Sequence, residues 1–178
     1  MKSSFDRVKS SFDRVKSSFD RVFQYKIMTY ILPTNQYLAR YRVRDTDICE
    51  KCNFSTDTIL HNLWQCQLVV PYVAKILNFL TEKCNLQENI SCVQFICGVK
   101  NNAALNHILI ELKKELFYNW DSEVSLERFL EKFEAKVRKK MILEKNCINS
   151  NQMFDQYSKK WENFIYIYDF RGPDPSDL

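Results

Sequence analysis

The sequence predicts a mostly α-helical single domain. Its 178 residues are near the size of one ordinary domain, and 46% of them are apolar, which is enough to bury a sizeable core. Apolar residues recur at three- and four-residue spacing over most of the chain, as in amphipathic helices. No stretch alternates long enough to predict a sheet, although residues 41–44 and 165–168 could form short strands.

The chain begins with a tandem repeat, which we assign to residues 1–22. Lys-Ser-Ser-Phe-Asp-Arg-Val occurs three times without change, at residues 2–8, 9–15 and 16–22. Its Phe and Val residues alternate at heptad spacing, so a seam for weak self-association is one interpretation. We favour a recent tandem duplication, because natural coiled coils vary at their outer positions.

Residues 23–45 are predicted to form a helical lead-in to the rest of the domain. An apolar and aromatic segment ends at Pro33, where Thr34 or Asn35 can cap a second, short helix. The polar segment that follows contains two Cys close together. Beyond it, Thr56 or Asp57 is predicted to begin an apolar helical face.

Residues 71–165 are predicted to be a helical region and residues 166–178 a flexible tail. Pro71 begins the first helix of this region. Three later segments carry apolar stripes at helical spacing. The residues that mark these three stripes include Leu105, Ile108, Leu109, Leu112 and Leu116, then Leu126, Phe129, Leu130, Phe133, Val137 and Met141, and finally Met153, Phe154, Tyr157, Trp161 and Phe164.

Composition excludes several classes of function. Only two Gly are present, so neither a dinucleotide fingerprint nor a P-loop can be formed. No apolar run approaches the roughly 18 residues of a membrane-spanning helix, and the charged start is unlike a secretory signal. We therefore expect a soluble intracellular protein without a membrane partner, cytoplasmic or nuclear, whose seven Cys are reduced.

Four residues between positions 46 and 70 have the spacing of a zinc knuckle. Cys49 and Cys52 form a Cys-x2-Cys pair, and His61 and Cys66 follow it. Four such ligands complete a tetrahedron around Zn²⁺ and leave no open position, so the site is predicted to be structural and not hydrolytic. His61 and Cys66 lie about 140° apart on an ideal α-helix, so that helix must tighten or end near Cys66.

The same region resembles the zinc-binding region near the C-terminus of non-LTR (LINE-type) retrotransposon reverse transcriptases. The resemblance covers most of residues 23 to about 165, and it is less close after the Cys and His motifs. The motifs that carry it, in order, are Phe23-Gln24-Tyr25-Lys26-Ile27, Ile31-Leu32-Pro33-Thr34-Asn35, Arg44-Asp45-Thr46-Asp47-Ile48-Cys49 and His61-Asn62-Leu63-Trp64-Gln65-Cys66.

The resemblance implies that Cys49, Cys52, His61 and Cys66 are the zinc ligands. It also implies that the region helps a polymerase to hold nucleic acid during target-primed reverse transcription. The polymerase palm and the endonuclease of that family are absent from the sequence, and the triplicate heptad is not a family feature. We therefore expect a truncated copy that has no catalytic centre and is not an enzyme.

A basic and aromatic segment precedes the Cys pair. Arg40, Tyr41, Arg42 and Arg44 lie close together, and Lys51 sits inside the Cys-x2-Cys turn. Arginine and tyrosine suit phosphate contacts and base stacking. The residues alone leave nucleic-acid binding and a plain solvated surface equally open.

A second basic run is predicted to be a solvated outer helix face in preference to a binding surface. It consists of Lys136, Arg138, Lys139, Lys140 and Lys145, interrupted by Glu144.

For the remaining Cys, His and Trp residues, structural roles are preferred over metal binding or catalysis. The spacing of Cys84, Cys92, Cys97 and His107 matches no zinc pattern, so core or surface roles are preferred, and Cys147 has no assigned role. The three Trp residues are predicted to be core or half-buried anchors.

The hypothesis from sequence is a zinc-binding, nucleic-acid-binding fragment of a retrotransposon reverse transcriptase. It would bind RNA or single-stranded DNA weakly and with low sequence preference. The alternative is a zinc-stabilised helical module that binds another protein.

Overall fold

The computed structural model describes residues 17–83 and 89–169, so the first two copies of the heptad, Cys84 and residues 170–178 lie outside the described part. The prediction of a mostly helical domain is confirmed. In the described residues the only β-pairing is one isolated bridge, between Ile48 and Thr56. A single π-helical turn spans His61–Gln65. The α-helices are α1 (Ser18–Met28), α2 (Asn35–Arg40), α3 (Val70–Lys83), α4 (Cys92–Cys97), α5 (Ala103–Tyr118), α6 (Leu126–Asn146) and α7 (Asn151–Asp169).

Helix α5 is the centre of the domain. It packs against the π-helical turn, α6 and α7, while α3 packs against the π-helical turn and α7. Apolar side chains are buried on several sides of α5, among them Leu105, Ile110 and Leu116, each completely enclosed. A helix that is buried nearly all round must satisfy its polar side chains inside the protein.

Helix boundaries follow local capping rules. The side chain of Thr34 accepts a hydrogen bond from the amide of Tyr37, which confirms the predicted start of the short helix α2. Ser125 caps α6 in the same way. Helix α4 was not predicted, although Ser91 and Gln94 form a reciprocal capping box at its start.

Both segments proposed as short strands are helical or turn-like instead. Residues 41–44 follow the C-terminal end of α2, and Arg42 has a φ of 56°, which a strand does not allow. Residues 165–168 lie within α7, which continues to Asp169 and so includes the first four residues of the predicted tail. The strand predictions are therefore wrong.

Helix α1 begins inside the third copy of the heptad. Ser17 is extended, and its hydroxyl accepts a hydrogen bond from the amide of Asp20, so the helix starts at Ser18. Phe19 and Val22 are 58% and 52% exposed, whereas Asp20 is buried. The apolar residues of this copy do not pack into the core, and no unbroken helix passes through Ser17.

Buried ion pairs join α1, α5 and α6. The carboxylate of Asp20 accepts hydrogen bonds from Lys114, at 3.0 Å, and from Lys140. Glu111 pairs with the same two ammonium groups. On α5 these charges are therefore satisfied within the protein, as a central helix requires.

The basic run of α6 is consequently not a uniform solvated face, and that part of the prediction is wrong. Lys140 lies in the ion-pair layer, and Lys136 pairs with Glu115 of α5. Lys139 and Lys145 are exposed as predicted. Two of the five basic residues of this run, Lys136 and Lys140, are therefore paired with carboxylates that are largely buried.

Candidate metal centre and the adjoining arginine turn

Cys49 and Cys52 are held by a tight turn closed by the Ile48–Thr56 bridge. The amide of Cys49 donates to the carbonyl of Ser55, and the amide of Asn53 donates back to the carbonyl of Cys49, both at 2.8 Å. Asn53 has a φ of 51°, a left-handed conformation that asparagine tolerates better than most residues. The turn brings both thiols to one side.

The π-helical turn supplies the other two side chains. Thr58 begins this segment, since its hydroxyl accepts from the amide of His61 at 2.9 Å. The amide of Cys66 then donates to the carbonyl of His61, at 2.8 Å, which is the five-residue bond of a π-helix. The wider turn carries Cys66 back to the side on which His61 lies.

This geometry corrects two details of the sequence prediction. The expectation was that the helix tightens or ends near Cys66; it ends at Gln65, and its last turn is widened and not tightened. Its cap is Thr58, whereas Thr56 or Asp57 was predicted. A π-helical turn has no sequence signature comparable to a capping box, so spacing alone did not distinguish the two solutions.

The four predicted ligands come together. One donor atom from each of Cys49, Cys52, His61 and Cys66 lies within 4.8 Å of every other, and these residues could hold a metal ion. The sulfur of Cys52 and Nε2 of His61 are 3.4 Å apart. Cys49 and Cys66 are fully buried.

The two thiols of the Cys-x2-Cys pair differ in acidity. Burial raises the pKa of Cys49 to about 12. Burial also acts to raise the pKa of Cys52, but the amides of Ser55 and Phe54 and the ring of His61 outweigh it, and that pKa falls to about 6. Amide hydrogen bonds act to lower the pKa of both thiols, but only at Cys52 do they outweigh burial.

A buried carboxylate ties the cluster to helix α2. One oxygen of Asp57 accepts from the amide of Asn35 at 2.8 Å, and the other accepts from the side-chain amide of Asn62 at 2.8 Å. Asp57 thus caps α2 from a distance, a role that the sequence analysis missed. No local pattern pointed to it, since Asp57 and Asn35 are far apart in the chain.

Lys51 points inward and not toward solvent. Its ammonium donates to the carbonyl and the side-chain oxygen of Asn62, at 3.0 and 2.8 Å, and to the carbonyl of Leu116, at 2.7 Å. It also lies 5.3 Å from the ring centre of Trp120. Burial lowers its pKa to about 8. The Lys51 ammonium is therefore bonded within the protein, whereas Arg40 and Arg42 are exposed.

The three arginines lie on a turn that leaves α2, which we call the arginine turn (residues 40–44). The amide of Val43 donates to the carbonyl of Leu38 and folds the turn back on the helix. Arg40 and Arg42 are exposed, and Arg44 pairs with Glu50. Tyr41 is 62% exposed, and its ring lies 4.9 Å from that of Tyr37.

The other Cys and His candidates form no second cluster within residues 17–83 and 89–169. His107 is buried against Trp161, with the two rings stacked at 6.1 Å, and its Nδ1 lies 2.8 Å from the ammonium of Lys160. Cys92 and Cys97 are half-buried thiols on α4 and Cys147 is exposed. Trp161 is a core residue, while Trp64 and Trp120 are partly buried, as predicted.

Among the helices in the described ranges, none combines the length and the apolar character needed to cross a membrane. Comparison of the chain with models of known protein families, with curated protein sequences and with solved structures found no match.

Proposed function

We propose that this chain is a zinc-stabilised helical module that binds RNA or single-stranded DNA weakly and with little sequence preference. The observation that carries the proposal is the arrangement of the arginine turn beside the metal cluster. Arg40 and Arg42 extend into solvent next to an exposed tyrosine, and Arg44 joins the turn to Glu50 between the two Cys. Guanidinium groups and an exposed aromatic ring are the usual means of contacting single strands.

Zinc is the proposed ion for the metal cluster. Three thiols and one imidazole are a donor set that structural zinc sites use, and a tetrahedral site places sulfur and nitrogen donors about 3.6 Å apart. The 3.4 Å separation between Cys52 and His61 is close to that value. Four protein ligands leave no place for a reacting water, so the ion is assigned a structural role and the chain no catalytic one.

The resemblance to LINE-type reverse transcriptases supports the same proposal. In that interpretation the chain is a fragment that retains the part of a polymerase that holds nucleic acid. It would act in the cytoplasm or nucleus, where thiols stay reduced and available to zinc.

Binding to phosphates should show in its salt dependence. Each phosphate contact that is lost lowers the slope of log affinity against log salt by roughly 0.7 to 0.9. The double variant Arg40→Ala/Arg42→Ala should therefore bind a single-stranded oligonucleotide less tightly and respond less to salt. Lys139→Ala/Lys145→Ala removes the same charge from the exposed face of α6 and should leave the slope unchanged.

One observation favours a second candidate, a protein-interaction module. Phe54, at the tip of the turn between Cys52 and the bridge, is 82% exposed. An apolar contact of this kind would not weaken steeply with salt. If the zinc-loaded protein retains no single-stranded RNA or DNA at low salt, nucleic-acid binding is wrong and the interaction module replaces it.

A further inference from the structure

A cleft of about 470 Å³ lies between the loop of the metal cluster and the C-terminal end of α5. Its volume is within the range of sites that enclose small organic groups. One wall is aromatic and consists of Phe117, Tyr118 and Trp120. The lining also includes Leu38 and Arg44, which stand at the two ends of the exposed part of the arginine turn. A ligand lying on that turn therefore has direct access to the cleft.

The charges of the cleft disfavour an anion inside it. Two cations, Arg44 and Lys51, line it together with three carboxylates, those of Glu50, Asp57 and Asp121. Both cations already have protein partners, because Arg44 pairs with Glu50 and Lys51 donates to three oxygens. A phosphate inside the cleft would face more carboxylates than cations, and both cations are already bonded to protein groups.

A flat neutral group suits the same lining better. The aromatic wall offers a stacking surface, and Tyr118 is 50% exposed. A planar heterocycle stacks on an exposed aromatic ring without needing a charged partner.

We infer that the cleft receives one unstacked nucleobase of a strand whose phosphates lie along the arginine turn. The inference rests on the proposed function and adds to it a site for a base. Bases within a duplex are paired and stacked, so only single strands, loops or ends can supply the base. The site therefore makes the protein prefer single-stranded over double-stranded nucleic acid.

A residue at the rim of the cleft allows the site to be blocked. Ser122 lines the cleft and is exposed, so Ser122→Trp adds a large side chain there without disturbing the core. Asn149 is likewise neutral and exposed and does not line the cleft, which makes Asn149→Trp the matched control. The probes are a short oligothymidylate and a strand of the same length built from abasic nucleotides.

We expect Ser122→Trp to weaken binding of the oligothymidylate by about 5- to 160-fold, the contribution of one stacked base. Binding of the abasic strand should be unchanged by either variant, because it reports only the phosphate contacts. Equal affinity of wild type and Ser122→Trp for the oligothymidylate would overturn the base site and leave the proposed function intact. If the wild type binds neither strand at low salt, both proposals are wrong.

A second measurement uses the wild-type protein and does not depend on folding of a variant. A strand carrying 4-thiothymidine forms a covalent photoproduct with residues that contact the base. The crosslinked peptide should contain Tyr118 or Trp120. Crosslinks found only on peptides remote from residues 117–122 would overturn the base site, even though nucleic acid is bound.

Discussion

The ammonium nitrogen of Lys51 lies 2.7 Å from the carbonyl oxygen of Leu116, which is 65 residues further along the chain. Leu116 belongs to the last turn of α5, where carbonyl groups have no partner within the helix and a cation is favoured. The same ammonium bonds Asn62, next to the candidate ligand His61. One lysine thus joins the metal cluster to the central helix.

Removing this ammonium should destabilise the domain without removing a metal ligand. Lys51→Met keeps the length of the side chain but leaves oxygens of Asn62 and Leu116 without their donor. We expect the free energy of unfolding to fall by about 2 kcal/mol, with zinc still bound at one per chain. Denaturant unfolding and elemental analysis measure the two effects. Lys100→Met, at an exposed loop position, is the control and should change neither.

The metal cluster should bind one zinc per chain. Cys52→Ser or His61→Ala removes a ligand, and structural zinc contributes on the order of 10 kcal/mol in small fingers. We therefore expect loss of zinc and faster hydrogen exchange over residues 45–70. Cys147→Ser, at an exposed thiol outside the cluster, should keep both zinc and protection. Elemental analysis that finds no zinc in the wild type would contradict the assignment.

The carboxylate of Asp20 should contribute measurably to stability. It is 1% exposed and lies between two ammonium groups whose side chains are about one-fifth exposed. Asp20→Asn removes its charge and leaves Lys114 and Lys140 with Glu111 as their shared partner. We expect a loss of about 1–3 kcal/mol in denaturant unfolding. Asp155→Asn, on the exposed side of α7, should cost little.

Deletion of residues 2–15 removes two whole copies of the heptad and should have little effect. The described helix starts at Ser18, and Phe19 and Val22 do not pack into the core. We therefore expect the thermal midpoint and the oligomeric state to stay nearly the same. Light scattering that shows a dimer for the full chain and a monomer after deletion would favour the self-association interpretation.

His107 should make stability depend on pH. Burial lowers its pKa to about 4, and the charge of nearby Lys160 acts in the same direction, while Glu144 opposes it. Between about pH 6.5 and pH 4 the unfolded chain binds a proton that the folded chain does not. The stability present above pH 6.5 is therefore lost as the pH falls through that range, at up to about 1.4 kcal/mol per pH unit.

The variant His107→Phe keeps a ring against Trp161 and removes the titration. Its free energy of unfolding should fall less between pH 7 and pH 5 than that of the wild type. Cys52, whose pKa is about 6, also titrates in this range. The wild type and the variant share this thiol, so the effect of His107 is taken as the difference between their two pH profiles. Identical pH profiles would show that His107 is not held neutral.

Sequence patterns predicted the features that depend on neighbouring residues. These features are the apolar spacing of α5, α6 and α7 and the cap at Thr34, which depend on local sequence. Tertiary packing leaves these local preferences unchanged. The grouping of the four Cys and His side chains was also predicted, because their spacing reflects the reach of one tight turn and one helical turn. Each of these signals comes from residues that are close together in the sequence.

The features that were missed depend on long-range contacts or on ambiguous local geometry. Lysine is seldom buried, and the acceptor of Lys51 on α5 lies far along the chain, so solvent exposure was the natural expectation. Asp20 has the same local sequence as two other aspartates, and its buried role comes from Lys114 and Lys140. Residues 41–44, which were named as a candidate short strand, form a turn, because alternation over four residues is too short to fix φ at Arg42.

The π-helical turn explains the number of residues that separate His61 from Cys66. In an ordinary α-helix, side chains four apart share a face, so three intervening residues would suffice to bring a His and a Cys to one ion. Here four residues intervene, and the extra one is absorbed as the wider turn between His61 and Cys66. In this motif the length of the spacer therefore matches the π-helical turn that carries the two side chains. A deletion of one residue here should convert the turn to α-helix and rotate the chain that follows.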